Sequence, residues 1–213
     1  MQMTDFSLYL VTDRHQTGGR PLFEVVRRAL EGGVRAVQLR EKDLSAAALY
    51  RLAVEMRRLT SDFGARLIIN DRPDIALAAE ADGVHIGISS LPVAAVRRVL
   101  GQGRIFGYSA HAIDEALCAQ DDGADFVTFG PVYHTPSKAA YGAPCGVNKL
   151  AEAAGALKIP VIGLGGISQA NVAEALSANV SGIAVISAIM AAADPCAATA
   201  FLLKKIEEYA KHP

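Results

Sequence analysis

Short apolar, β-branched runs alternate along this chain with segments of helical periodicity. The runs are Ser7-Leu-Tyr-Leu-Val-Thr12, Ala36-Val-Gln-Leu-Arg40, Arg66-Leu-Ile-Ile-Asn70 and Gly83-Val-His-Ile-Gly87, then Arg104-Ile-Phe-Gly-Tyr-Ser109, Asp125-Phe-Val-Thr-Phe-Gly130, Pro160-Val-Ile-Gly-Leu-Gly165 and Gly182-Ile-Ala-Val-Ile-Ser187. Near-continuous apolar runs mark strands buried on both faces, as in parallel sheets whose connections are helices. Between them, Leu22 to Leu30 and Ala46 to Leu59 carry apolar residues at i, i+3 and i+4 with Arg and Glu interleaved, the pattern of amphipathic helices. Asn171 opens a further helix as a favourable N-cap residue. Gly-containing turns such as Glu31-Gly-Gly33 and Val180-Ser-Gly182 precede strands, as helix-to-strand connections require. The pattern predicts a single-domain (β/α)8 TIM barrel over residues 1–213, near the lower size limit for that fold. A doubly wound open sheet is the rival, but it needs a Gly-rich turn after the first strand, which Thr12-Asp-Arg-His-Gln-Thr-Gly-Gly19 matches poorly.

Composition narrows the function. With 21 Lys+Arg against 22 Asp+Glu, the formal net charge is -1, and the electrostatic case for nucleic acid as a partner is absent. A hydrophobic fraction of 51% excludes disorder. No apolar run reaches the roughly 20 residues of a bilayer span. The first residues show no basic leader, so the expectation is a cytoplasmic protein. The 3 cysteines, Cys118, Cys145 and Cys196, form neither a disulfide framework nor a zinc pattern. Cys118 and Cys196 read as helix-packing residues. Cys145 has no evident activating group.

In a barrel the chemistry gathers at the C-terminal strand ends. Gln38 and Arg40 share the inward face of the second strand and Lys42 follows, three donors suited to a diphosphate. The plainer alternative is an interior ion pair between Arg40 and a neighbouring carboxylate. Asp71, after Asn70, suits Mg²⁺, which takes one or two carboxylates plus substrate phosphate oxygens; it also suits the start of a helix ahead of Pro73. Gly165-Gly166 after the seventh strand, with Ser187 after the eighth, is the phosphate site usual in this fold. The long loop from Gly130 to Gly146 carries Thr135, Ser137, Lys138 and Tyr141, as a substrate-covering segment would, with Lys138 its anion contact. His85 reads as a barrel-interior residue, whereas His111 and His134 are better placed for proton transfer.

The ordered motifs Tyr9-Leu-Val-Thr-Asp-Arg14, Val37-Gln-Leu-Arg-Glu-Lys42, Ile69-Asn-Asp-Arg72, Asp82-Gly-Val-His-Ile-Gly87, Gly107-Tyr-Ser-Ala-His111, Gly130-Pro-Val-Tyr133, Thr135-Pro-Ser-Lys138, Gly163-Leu-Gly-Gly-Ile167 and Val185-Ile-Ser-Ala-Ile189 resemble the thiamine phosphate synthase/TenI superfamily over nearly the whole chain. The resemblance implies that hydroxymethylpyrimidine diphosphate ionises to a pyrimidinylmethyl cation and pyrophosphate, and that the nitrogen of thiazole phosphate captures the cation. Gln38, Arg40, Lys42, Asn70, Ser109 and Lys138 would hold pyrimidine and diphosphate, with Arg40, Lys42, Ser109 and Lys138 closest to the chemistry. Thr135, Ser137, Gly166, Ile186 and Ser187 would hold the thiazole phosphate, and Asp71 would bind Mg²⁺.

One stretch departs from the synthase pattern: Ile88 and Ser90 stand where it has Gln and the second metal-binding Asp, and a hydroxyl is a poorer Mg²⁺ ligand. Loss of that Asp also occurs in the TenI-like tautomerases, whose base is a His where this chain keeps Pro131. The alternatives to a synthase are therefore a thiazole tautomerase using His134 or His111, and a non-catalytic binder of phosphorylated ligands. A (β/α)8 enzyme acting on a phosphorylated sugar is also open, though the Gln38 to Lys42 segment argues against it.

Overall fold

The computed structural model describes residues 5–101, 103–135 and 143–211. Eight strands alternate with helices: β1 (Leu8–Val11), α1 (Leu22–Glu31), β2 (Ala36–Leu39), α2 (Ala46–Asp62), β3 (Arg66–Asn70), α3 (Pro73–Ala78), β4 (Gly83–Gly87), α4 (Val93–Leu100), β5 (Ile105–Ala110), α5 (Ile113–Asp121), β6 (Phe126–Phe129), α6 (Gly146–Ala156), β7 (Val161–Leu164), α7 (Val172–Leu176), β8 (Gly182–Val185), α8 (Ser187–Met190) and α9 (Pro195–Lys211). All neighbouring strands run parallel, and β8 closes onto β1 with Leu8 beside Ile183. This is the (β/α)8 TIM barrel expected from the alternating pattern.

Strand alternation divides the core in two. Outward residues such as Leu10, Leu39, Ile69, Val84, Phe106, Val127 and Val185 join the helices in one large buried cluster. Inward residues form a second, enclosed cluster of Phe6, Tyr9, Val11, Ala36, Ile68, Ile105, Phe126, Ile162 and Ala184. Above it the inward positions turn polar: Gln38, His85 and Thr128 are all buried. The barrel is thus filled with apolar side chains below and hydrogen-bonding groups above, where ligands approach.

Charges at the opposite end serve the fold. Asp82 accepts from the Leu67 amide at 2.7 Å and pairs with Arg57 and Arg66. Asp125 accepts from the Phe106 amide at 2.7 Å and pairs with Arg97. Each aspartate ties the start of one strand to a neighbouring element, a stabilising role suited to that face.

Three local expectations are corrected. Asn171 is the N-cap residue of α7, as expected, but its side chain caps no helix amide; it reaches back, accepting from the Ser168 amide at 2.8 Å and donating to the Gly166 carbonyl at 3.0 Å. Nor does Asp71 start α3, which opens after Arg72 with Pro73 at its first turn. Cys118 is exposed on α5 rather than packed, because that helix buries Ala116 and Ala119 instead. Among the described residues no helix is long and apolar enough to cross a membrane.

Candidate active site

The ends of β1 and β2 are locked together around one buried carboxylate. Glu41 is only 4% exposed, so its charge needs compensation. It accepts from the Thr12 hydroxyl at 2.7 Å, the Arg14 amide at 3.2 Å and the Arg14 guanidinium at 3.1 Å. Thr12 Oγ1 in turn accepts from the Arg40 amide at 3.0 Å. Arg14 also pairs with Asp43, and this contact holds the Asp43 carboxyl well below the usual carboxylate range. With Glu41 and Asp43 committed to Arg14, neither Arg40 nor Lys42 has an ion-pair partner among the described residues. The interior ion pair weighed for Arg40 is therefore not formed. Two cations beside one cavity mouth keep their charge available for an anion.

Gln38 donates to the Tyr9 hydroxyl at 2.9 Å. Burial drives that phenol far above its ordinary value, with the Gln38 contact opposing, so Tyr9 stays neutral. Gln38, Arg40, Asn70, His85 and Ser109 line one cavity in the barrel mouth. Lys42 lies on its outer side, with Asn70 and Asp71 lining the same recess. At its floor His85 Nε2 lies 2.9 Å from Ser109 Oγ, which is 3.2 Å from Thr128 Oγ1. Gly107 leaves room for this ring, since a Cβ there would come 2.4 Å from His85 Nδ1. As expected, His85 is an interior residue, 2% exposed.

Asp71 adopts φ 58°, a left-handed conformation uncommon outside glycine and tolerated best by Asn and Asp. Its amide donates to the His85 carbonyl at 2.9 Å, which fixes where the side chain leaves the backbone. One carboxylate oxygen accepts from Asn70 Nδ2 at 2.9 Å and the other from the Ser90 hydroxyl. Ser90 Oγ also accepts from the Gly87 amide at 3.0 Å. The two positions expected at the metal are thus in contact. Among the described residues no group of three or more His, Cys, Asp or Glu is placed to hold a metal ion. One carboxylate and one hydroxyl fit a Mg²⁺ ion that draws its remaining ligands from substrate phosphate and water, not a protein-only cage.

Across the mouth, Gly165 (φ 107°) and Gly166 (φ 68°) turn the chain after β7. A Cβ at Gly165 would come 2.7 Å from Pro131 Cα, and one at Gly166 would come 2.7 Å from Tyr133 Cβ, so only glycine lets the two loops touch. The Val132 and Tyr133 amides donate to the Leu164 and Gly165 carbonyls, each at 3.0 Å. Tyr133 donates its hydroxyl to Glu174 at 2.9 Å, and its phenol is raised by burial and by that carboxylate. Thr135, Gly166, Ile186 and Ser187 line a second cavity here, together with His111. Ser187 is the first residue of α8.

Of the sequence-derived set, Gln38, Arg40, Asn70 and Ser109 share one cavity, Thr135, Gly166, Ile186 and Ser187 line the adjoining one, and Lys42 and Asp71 line the recess beside them. Ser137, Lys138 and Tyr141 lie outside the described residues. His111 is held with Nδ1 2.5 Å from the Gly130 carbonyl and its amide donating to Glu115 at 2.8 Å. His134 is exposed and lines neither cavity. Burial pushes the Cys145 thiol up, and the side chain is only half-buried beside the site. Sequence reasoning passed over Gln16, Thr128 and the carboxylate of Glu41. Alternation with Phe126 could have placed Thr128 inward, whereas Gln16 sits on a 3-10 turn (Arg14–Gln16) that leaves no periodic signal.

A family model described as thiamine monophosphate synthase matches residues 8–189. The chain belongs to the thiamine monophosphate synthase family. A putative thiamine-phosphate synthase of Geobacter sulfurreducens is 60% identical over 195 residues, covering 92% of each chain. A thiamine-phosphate synthase of Desulfitobacterium hafniense is 45% identical over 199 residues, covering 93% of this chain and 96% of its own. The solved thiamine phosphate pyrophosphorylase of Pyrococcus furiosus superposes with a TM-score of 0.89 at 37% identity, covering 97% of this chain and 98% of that one. With the family comes the activity, that of a thiamine-phosphate synthase, hence a transferase acting on small phosphorylated molecules.

Proposed function

We propose that this barrel joins hydroxymethylpyrimidine diphosphate to thiazole phosphate, forming thiamine phosphate and pyrophosphate, with Mg²⁺ as cofactor. The observation that carries this reading is the pair of anion-ready walls on opposite sides of one polar floor. Arg40 and Lys42, without counter-ions among the described residues, suit a diphosphate. The Gly165-Gly166 turn and the start of α8 suit a monophosphate.

Gln38, Asn70 and Ser109 orient the pyrimidine over the His85–Ser109–Thr128 floor. Arg40 and Lys42, with Lys138 from the loop beyond the described residues, hold the diphosphate and stabilise the negative charge that grows on it as the methylene C–O bond breaks. Thr135, Ser137, Gly166, Ile186 and Ser187 hold the thiazole phosphate so that its ring nitrogen faces the electron-poor methylene carbon. The nitrogen lone pair forms the new C–N bond, and the electron pair of the broken bond leaves with pyrophosphate. No protein nucleophile or base is required. Asp71 and Ser90 would hold Mg²⁺, which when bound adds positive charge at the diphosphate oxygens. A cytoplasmic enzyme using dissolved phosphorylated heterocycles fits this chemistry.

The deciding assay supplies the purified protein with both substrates and Mg²⁺ and follows pyrophosphate and thiamine phosphate. Equal amounts of both products, abolished by a chelator, are expected. Thiazole phosphate binding without thiamine phosphate would reject the synthase reading. His111, lining the thiazole-side cavity, supports thiazole tautomerisation as a second reading, which the same sample tests by isomer conversion with chelator present.

A further inference from the structure

The two substrate cavities share a wall made by Gln16, Ser109, Thr128, Leu164 and Ile186. Gln16 differs from the other four because it comes from outside the barrel staves, on the 3-10 turn that follows β1. Its position is held tightly all the same. Asp13 caps the turn, accepting from the His15 amide at 3.0 Å, and the Gln16 amide donates to the Asp13 carbonyl at 3.0 Å. Asp13 also accepts from Gln16 Nε2 at 2.7 Å. A carboxylate only accepts, so the nitrogen of the Gln16 side chain faces Asp13 and its oxygen is turned the other way. That oxygen accepts no hydrogen bond from a described residue.

We propose that Gln16, positioned by Asp13, closes the junction between the two substrates and directs capture of the pyrimidinylmethyl cation to the thiazole nitrogen instead of water. This inference rests on the synthase reading. Once the C–O bond has broken and its electron pair has left with pyrophosphate, two nucleophiles compete for the methylene carbon. The thiazole nitrogen gives thiamine phosphate. A water molecule gives hydroxymethylpyrimidine, adding its oxygen to carbon and releasing one proton to solvent. Ser109, Thr128, Leu164 and Ile186 wall the junction from the barrel side, and among the described residues Gln16 is the wall contributed by the turn after β1. A side chain held to Asp13 by its own hydrogen bond, on a turn whose backbone Asp13 also fixes, excludes water at little cost in mobility.

The ratio of pyrophosphate released to thiamine phosphate formed reads this directly. The wild type is expected to give a ratio near one. Gln16→Ala should raise it to on the order of two or more, with pyrophosphate release within about threefold of wild type and hydroxymethylpyrimidine making up the difference. Gln16→Met, which keeps the length and volume but loses the donor to Asp13, should bring the ratio only part of the way back towards one, a rescue that a merely structural role for the turn would not produce. Asp13→Ala should uncouple in the same sense as Gln16→Ala. A ratio of one in Gln16→Ala overturns the inference, as does equal uncoupling by Gln16→Met. If the wild type itself forms no thiamine phosphate, the synthase reading fails and this inference falls with it; a coupled Gln16→Ala beside an active wild type removes the inference alone.

Discussion

Replacing Ser90 by Asp tests the proposed metal position without relying on turnover. In the wild type the Ser90 hydroxyl donates to Asp71 and is itself fixed by the Gly87 amide. Ser90→Asp removes that donor and sets a second carboxylate against the first. Two charges about 4 Å apart repel by about 1 kcal/mol in water and about 4 kcal/mol at the effective dielectric of a protein surface. Asp71 and Ser90 are both half-buried, so the side chains can turn partly to solvent, and about 2 kcal/mol is the reasonable middle. For a chain of this size that lowers Tm by roughly 4–8 °C when divalent cations are chelated. Mg²⁺ should reverse it: a ligand at 100 times its Kd contributes about 2.7 kcal/mol, enough to offset the repulsion. Thermal unfolding of wild type and variant, in chelator and across a Mg²⁺ titration, therefore gives two curves that differ without metal and converge with it. A variant as stable as wild type in chelator, or one whose lost stability Mg²⁺ does not restore, would refute the assignment of position 90 to the metal.

Arg40→Ala should lower synthase turnover about 100-fold or more, the usual cost of losing one charged contact to a transition state. Its Tm should stay within a few degrees of wild type, because Arg40 has no ion pair to lose among the described residues; a large fall in Tm would mean a structural role instead. Gly166→Ala places a Cβ 2.7 Å from Tyr133 Cβ at φ 68°, and left-handed strain alone costs about 1–2 kcal/mol. It should raise KM for thiazole phosphate at least about tenfold while leaving KM for the pyrimidine diphosphate within about twofold, and equal effects on both would disprove the division of the two walls. The exposed Cys118 should be alkylated by iodoacetamide well before Cys145, whose thiol is raised by burial and so holds less thiolate at neutral pH; mass spectrometry of a time course would show the order, and faster labelling of Cys145 would contradict it.

Most of the fold was legible because one physical signal, strands buried on both faces, repeats eight times with little interruption. The site was legible for the same reason: in a barrel the strand ends are known once the strands are, so Gln38, Arg40, Asn70, Asp71 and Ser109 could be read by position alone. What escaped lay off the staves or depended on partner choice. Gln16 acquires its place from a 3-10 turn capped by Asp13, and no hydrophobic period reports such a turn. Asn171 was assigned to the helix it precedes, yet its side chain bonds the Gly166 carbonyl and Ser168 amide, because the glycine turn leaves those groups in need of partners. Cys118 read as packing because α5 is short and rich in alanine, which weakens its amphipathic signature.

Whether Arg40 was clamp or ion pair could not be settled from sequence, since two acidic residues, Glu41 and Asp43, flank Lys42 in the same loop. The structure answers the ion-pair half of that question through Arg14. A buried carboxylate must be compensated, and Glu41 obtains its compensation from Thr12 and Arg14 across the strand interface, while Asp43 takes the other side of the same guanidinium. Both acids are therefore spent before they can reach Arg40 or Lys42. The contrast with the far end of the barrel is physical: there Asp82 and Asp125 are paired to arginines and accept from strand amides, so those charges serve the fold. One arginine from β1's trailing turn pairs with both acids of the loop after β2, so that Arg40 and Lys42 are left for the cavities they line.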